Sequence, residues 1–143
     1  MQISSRFTIA IHMLAGMEIF RTEYKVTSDF LASSINVNPV IIRKILSQLK
    51  NAGLIEVARG TGGAKAVKPL EQITFYDVYR AVDLLEEGEL FHFHENPSLS
   101  CPVGKNIHRV LDNKLLDIQK AMEQEMKQYT IADVVKEIKL CGC

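Results

Sequence analysis

A helix start is written into residues 38 and 39, and a glycine-rich hairpin follows soon after, an order that few small folds accommodate. Asn38 carries the side-chain oxygen an N-cap needs, and Pro39 suits the first helical position, where its missing N–H costs nothing. Ile42, Ile45, Leu46 and Leu49 then recur at three- and four-residue steps, which predicts a helix over 39–51 with one buried face. Gly53 stands where the end of that helix needs positive φ. Two short β-segments are expected at 54–58 and 66–68, with Arg59-Gly60-Thr61-Gly62-Gly63-Ala64-Lys65 as the hairpin tip between them.

The flanking segments read as helices. Phe7, Ile11, Leu14 and Met17 mark one buried face of a helix over 5–18. Residues 21–25 are a polar loop, and Thr27 caps a short helix over 28–34 whose Phe30 and Leu31 face inward. Residues 35–37 make a tight connection to the Asn38 start. Helix, short helix, turn, helix and two-stranded hairpin is the order of a winged helix-turn-helix. Beyond Pro69, Thr74 caps a helix over 75–85 with Val78, Ala81, Val82 and Leu85 on one face. Residues 86–104 lose the periodicity. A long helix is expected over 105–128, and Thr130 caps a last one over 131–140. The fold class expected is therefore mainly α with a small β-hairpin wing. It divides into a winged helix-turn-helix domain over 1–69, a linking helix and sensor-region loop over 70–104, and a dimerisation helix with a C-terminal helix over 105–143.

The long helix bears on assembly. Ile107, Leu111, Leu115, Ile118, Met122 and Met126, continued by Tyr129, form one apolar stripe over six turns. A chain this small has little surface with which to cover it, so pairing with the same helix of a second copy is expected.

Charge assigns the two halves different tasks. Net charge is zero, yet residues 1–69 carry nine Lys/Arg against four Asp/Glu, and residues 70–143 carry eight against thirteen. An electropositive N-terminal half attracts a polyanion. In a helix-turn-helix the second helix enters the major groove, and the face of 39–51 opposite its core residues offers Asn38, Val40, Arg43, Lys44, Ser47 and Lys50. Arg43 can bind guanine bidentately and Val40 can touch a thymine methyl. Lys44, Lys50 and the Asn38 end suit phosphates. At the hairpin tip, Arg59, Thr61 and Lys65 stand beside glycines that let backbone approach DNA, and Arg59 fits a narrow minor groove.

With these motifs in view the chain resembles the Rrf2 family of winged-helix regulators. The resemblance rests on Ser5-Arg6-Phe7-Thr8-Ile9-Ala10-Ile11-His12, the Asn38-Pro39 start, Leu49-Lys50-Asn51-Ala52-Gly53-Leu54-Ile55, Arg59-Gly60-Thr61-Gly62-Gly63, and Ile73-Thr74-Phe75-Tyr76-Asp77-Val78-Tyr79-Arg80-Ala81-Val82. It implies a homodimer crossed through the long helix that binds palindromic double-stranded DNA as a transcription regulator, with contacts at Asn38, Val40, Arg43 and Arg59. The family's wing usually reads Gly-Gly-Tyr; here Gly63 is followed by Ala64 and Lys65, so the operator is not inherited from a relative. Family members that sense iron or nitric oxide hold an iron–sulfur cluster with three cysteines ahead of the long helix. Here that segment has Cys101 alone, so conventional cluster ligands are absent and no cofactor is expected.

Other readings of the same residues stay open. Cys101, just before the long helix, can be a redox-sensing thiol activated by the helix dipole, or an inert filler. Mixed ligation of a cluster by Cys101 with His12, His92, His94 or Glu95, and a zinc site joining His92 and His94 to Cys101, are the metal alternatives. The tail Cys141-Gly142-Cys143 can pair with Cys101, bind a soft metal or do nothing. The glycine-rich tip lacks the Lys-Ser/Thr ending of a phosphate loop, and no catalytic constellation is visible, so an enzyme is not expected. No apolar run reaches the roughly 20 residues that cross a bilayer, and no signal peptide is seen, so a cytoplasmic protein is expected. The alternative function is an interaction module that docks a metabolic enzyme through its acidic half, its DNA binding vestigial; a small-molecule effector is not identified.

Overall fold

The computed structural model describes residues 3–59, 63–83, 90–91 and 94–142. Helix α1 (Ser5–Ile19) is capped by the Ser4 hydroxyl, which accepts from the Arg6 amide at 3.2 Å. Its buried face is broader than a single stripe: Ala10, Met13, Leu14, Ala15 and Met17 are all buried, while Phe7 and Ile11 pack partly buried at its edge. The breadth follows from its place, since α1 touches α2 (Ser28–Ile35), α3 (Pro39–Asn51), α4 (Phe75–Val82), α6 (Ile131–Leu140) and the hairpin.

Helices α2 and α3 form the helix-turn-helix. Thr27 caps α2 by accepting from the Phe30 amide at 3.1 Å, and Asn36 turns the chain at φ 63° before Asn38. The Asn38 side chain accepts from the Val40 amide at 2.8 Å, and Pro39 opens α3. Ile42, Ile45, Leu46 and Leu49 are the buried residues of α3, as their spacing predicts.

The hairpin corrects the expected boundaries. Strands β1 (Ile55–Val57) and β2 (Ala64–Ala66) pair antiparallel with Ile55 opposite Ala66 and Val57 opposite Ala64. The second strand therefore begins two residues earlier than 66, and Ala64 and Lys65 belong to it and not to the tip. A contact outside the hairpin anchors the second strand. The Ala64 amide donates to the Val26 carbonyl at 2.9 Å, and a side chain on Gly63 (φ 77°) would meet the Val26 amide nitrogen at 2.9 Å. The wing is thus clamped by its base to the turn before α2.

After a 3-10 turn (Leu70–Gln72), α4 ends at Val82. The expected extension to 85 passes into 84–89, outside the described residues. Thr74 and Asp77 form a capping box at the start of α4, and Thr130 and Asp133 form another at α6. The two starts lie side by side. The Phe75 amide donates to the Tyr129 carbonyl and the Ile131 amide to the Ile73 carbonyl, both at 2.9 Å. This stitch brings the chain's last helix back onto its first, and Ile131 and Val135 enter the same core as Leu14, Ile45 and Val78. Segment 105–143 is accordingly split by packing: α6 belongs to the N-terminal body.

Helix α5 (Pro102–Met126) starts three residues before the expected 105. Proline is favoured at the first helical position, and Gly104 is accommodated because the Ser98 backbone packs where a side chain would be. Gln119 is the buried residue of α5. It accepts from the Leu90 amide at 3.3 Å and donates to Glu123 at 3.0 Å. At 100° per residue, Gln119, Met126 and Leu115 lie on one edge of the apolar arc, Val103 and Val110 on the other, and Ile118 between them. The arc is open from Ile118 to that second edge: Val103 is 66%, Val110 48% and Ile118 52% exposed.

Candidate nucleic-acid interface

The exposed arc of α3 faces the wing across a groove of about 350 Å3. Arg43, Ser47 and Lys50 line it from α3, Thr27 and Ser28 from the start of α2, and Val57, Ala58, Gly63 and Ala64 from the wing. The spacing of α3 explains the sorting. With Ile42, Ile45, Leu46 and Leu49 turned inward, residues 43, 47 and 50 fall together on the wing side, and Val40 and Lys44 project opposite the core.

All but one of the residues expected to meet DNA have a definite place. Asn38, Val40, Arg43, Lys44, Ser47, Lys50 and Arg59 are all exposed, Val40 by 63%. The side-chain oxygen of Asn38 is held by its own cap, which leaves the amide NH2 as its free donor. Arg43, which lines the groove, lies 3.7 Å from the carboxylate of Asp29 on α2, both side chains being exposed. Thr61 falls outside the described residues. Lys65 sits mid-strand and not at the tip, and it pairs with Glu56 directly across the hairpin at 3.0 Å. Its charge is thereby partly countered.

Two polar lining residues are not evident from the sequence. Thr27 reads as an N-cap and Ser28 as the first residue of α2, yet their position at the start of α2 also puts them in the groove. Outside the groove lining, Ile41 is 41% exposed on α3, a position where its apolar character suggests burial.

Near the start of α5, Cys101 is exposed at the N-cap position. The amides of Gly104 and Val103 point toward its sulfur without closing a full cap hydrogen bond, and they lower the thiol pKa from its ordinary value. His94 and His108 stand edge to face with ring centroids 5.5 Å apart, and His108 Nε2 lies 3.1 Å from the His94 carbonyl oxygen. His92 lies outside the described residues.

Residues 3–137 match the family described as Rrf2, iron-dependent transcriptional regulator. The chain belongs to the Rrf2 family. YwnA of Bacillus subtilis (strain 168), assigned by inference to the HTH-type transcriptional regulators, is 39% identical over 95% of this chain and 98% of its own. A solved structure from Lactobacillus plantarum, a regulator likewise by inference, superposes with TM-score 0.78 at 26% identity, covering 94% of this chain and 90% of that one. CymR, the global cysteine regulator of B. subtilis, shares the fold, with TM-score 0.69 at 18% identity over 96% of this chain and 98% of its own. This Rrf2 chain is thus a transcriptional regulator with a DNA-binding, winged-helix fold, and among its described residues no helix is long and apolar enough to cross a membrane.

The family description names iron, and the residues can be tested against it. Among the described residues no three His, Cys, Asp or Glu side chains converge as a metal site would require. Cys101 contributes a single thiol, and the ring nitrogen of His108 nearest His94 meets a backbone carbonyl. The described donors do not fit an iron or cluster site.

Proposed function

We propose that this Rrf2 regulator acts as a homodimer on a pseudo-palindromic double-stranded operator, occupying it as a repressor. Helix α3 lies in the major groove and the Arg59 loop in the adjacent minor groove. The observation that carries this reading is the shared groove, because one duplex can touch α3 and the wing together only if both border the same open surface. In this arrangement Arg43 exchanges Asp29 for a guanine edge, Val40 meets a thymine methyl, and Asn38, Lys44, Ser47 and Lys50 hold backbone or base edges. Residues 1–69 do the reading, 70–104 link, and the open edge of α5 pairs with its copy.

Selection of bound sequences from a random DNA pool tests the reading, and a two-fold consensus is expected. Arg43→Ala is expected to relax base preference at a cost of about 1–3 kcal/mol, and Lys50→Ala to weaken all sequences alike. Equal losses on specific and random DNA in both variants remove Arg43 as a base reader.

Signal reception is assigned to Cys101. An exposed thiol with a lowered pKa presents more thiolate, the form that oxidants attack. Mild peroxide treatment is expected to change operator affinity in the wild type and not in Cys101→Ser. An unchanged wild type removes the thiol from the switch.

A further inference from the structure

The wing has a second side. Its face away from α3 borders a larger groove of about 1240 Å3, whose opposite wall is α6. Val57, Ala58, Gly63 and Ala64 line both grooves, so the hairpin is a wall between them. The second groove has an apolar floor that includes Met17, Val26 and Val135, and more cations than carboxylates along its sides. Two of those carboxylates are already engaged, Glu56 by Lys65 at 3.0 Å and Glu18 by Arg21 at 3.7 Å. Lys68, Lys136 and Lys139 are exposed, and none has a carboxylate within salt-bridge distance among the described residues.

A minor groove is only about 6 Å wide and is bounded by two sugar–phosphate strands. A hairpin inserted into it therefore has one strand on each side. The strand on the α3 side passes the groove lined by Arg43 and Lys50. The geometry points to a second contact for the other strand: Lys68 at the base of the wing and Lys136 and Lys139 on α6 hold its phosphates, so that the C-terminal helix is part of the DNA-binding surface. The exposure of all three lysines favours a polyanion over a small organic anion, which would call for cations buried with it. Phosphate contacts carry no base information, so this surface adds affinity and footprint without specificity. The inference rests on the operator-binding reading above.

The test uses the full-length protein with its selected operator and the double variant Lys136→Gln/Lys139→Gln. The slope of log affinity against log salt is expected to become shallower by about 0.9 for each phosphate contact removed, about 1.8 per protomer. The hydroxyl-radical footprint is expected to lose protection on the strand beyond the wing, while the selected consensus stays the same. Lys136→Arg/Lys139→Arg, which keeps the charges, is expected to retain the wild-type slope and footprint. A glutamine variant that binds with unchanged slope and footprint overturns the α6 contact while leaving the operator reading intact, and is the result expected if the groove serves an acidic protein or a small anion instead. A wild type with no sequence preference overturns the operator reading itself, and the α6 contact with it.

Discussion

The body formed by α1–α4, α6 and the wing differs from α5 in one physical respect: the body buries most of its large apolar side chains in a single core within one chain, and the long helix does not. In the body, Met13, Leu14, Ile42, Ile45, Leu49, Ile73, Val78 and Ile131 are fully buried and belong to one cluster. Along the 25 residues of α5 only Gln119 is buried among the described residues, and it is polar. The same three-and-four spacing of apolar residues thus has two outcomes, a filled core in one region and an open edge in the other. Amphipathic spacing announces that a helix needs a partner surface and does not say in which chain that surface lies.

Substitutions can break or sharpen this contrast. Leu49→Ala, in the filled region, is expected to destabilise the fold by about 2–5 kcal/mol, because the cavity has no room to relax. Chemical denaturation measures it, and the loss is expected at any protein concentration at which the assembly is saturated. Val110→Glu with Ile118→Glu, on the open side of α5, is expected to leave the body's helical circular dichroism in place and to shift the proposed dimer to monomer in sedimentation. Operator affinity is expected to fall about 100-fold through lost avidity. A double variant that remains dimeric shows that α5 pairs by another surface.

A smaller effect probes how the body closes. Thr130→Ala removes the hydroxyl that accepts from the Asp133 amide at 3.2 Å, and is expected to cost about 1 kcal/mol in thermal stability. The change is expected to reach α4 through the adjoining Thr74 start, visible as faster amide exchange at Phe75.

The smallest effect lies where the body hands over to the link. Burial pushes the Asp83 carboxyl pKa up, more than the Ser4 backbone hydrogen bond and the Arg6 charge bring it down. One oxygen of that carboxyl is buried with no hydrogen-bond partner among the described residues. An acid whose folded pKa is raised favours the folded state below its unfolded pKa and loses that contribution as pH rises through the folded value. Asp83→Asn is therefore expected to raise the melting temperature slightly at neutral pH and to change it little in acid. A variant that melts lower at neutral pH shows that the charged form is held by a favourable contact.

Much of the candidate interface was legible because its residues are set by local rules. The Asn38 cap, the Pro39 start and the inward set Ile42, Ile45, Leu46 and Leu49 together determine which side chains of α3 remain outside, and the structure places Arg43, Ser47 and Lys50 there. Lys65 was misplaced because strand register is not local. Its position mid-strand follows from pairing opposite Glu56, in a strand anchored by the Ala64–Val26 hydrogen bond to a residue 38 positions away in the chain. Thr27 and Ser28 were missed as groove residues for the same reason, since a cap is visible in sequence and the surface it happens to face is not.

Chain order alone determined the starts of α1–α4 and α6 and the exposed face of α3, because caps, proline geometry and helical period act over a few residues. Tertiary structure alone decided that α6 returns to α1 through the Thr74–Thr130 stitch and so places Lys136 and Lys139 across a groove from the wing. Such neighbours are chosen by backbone hydrogen bonds and packing between segments far apart in the chain, and residue spacing carries no record of them.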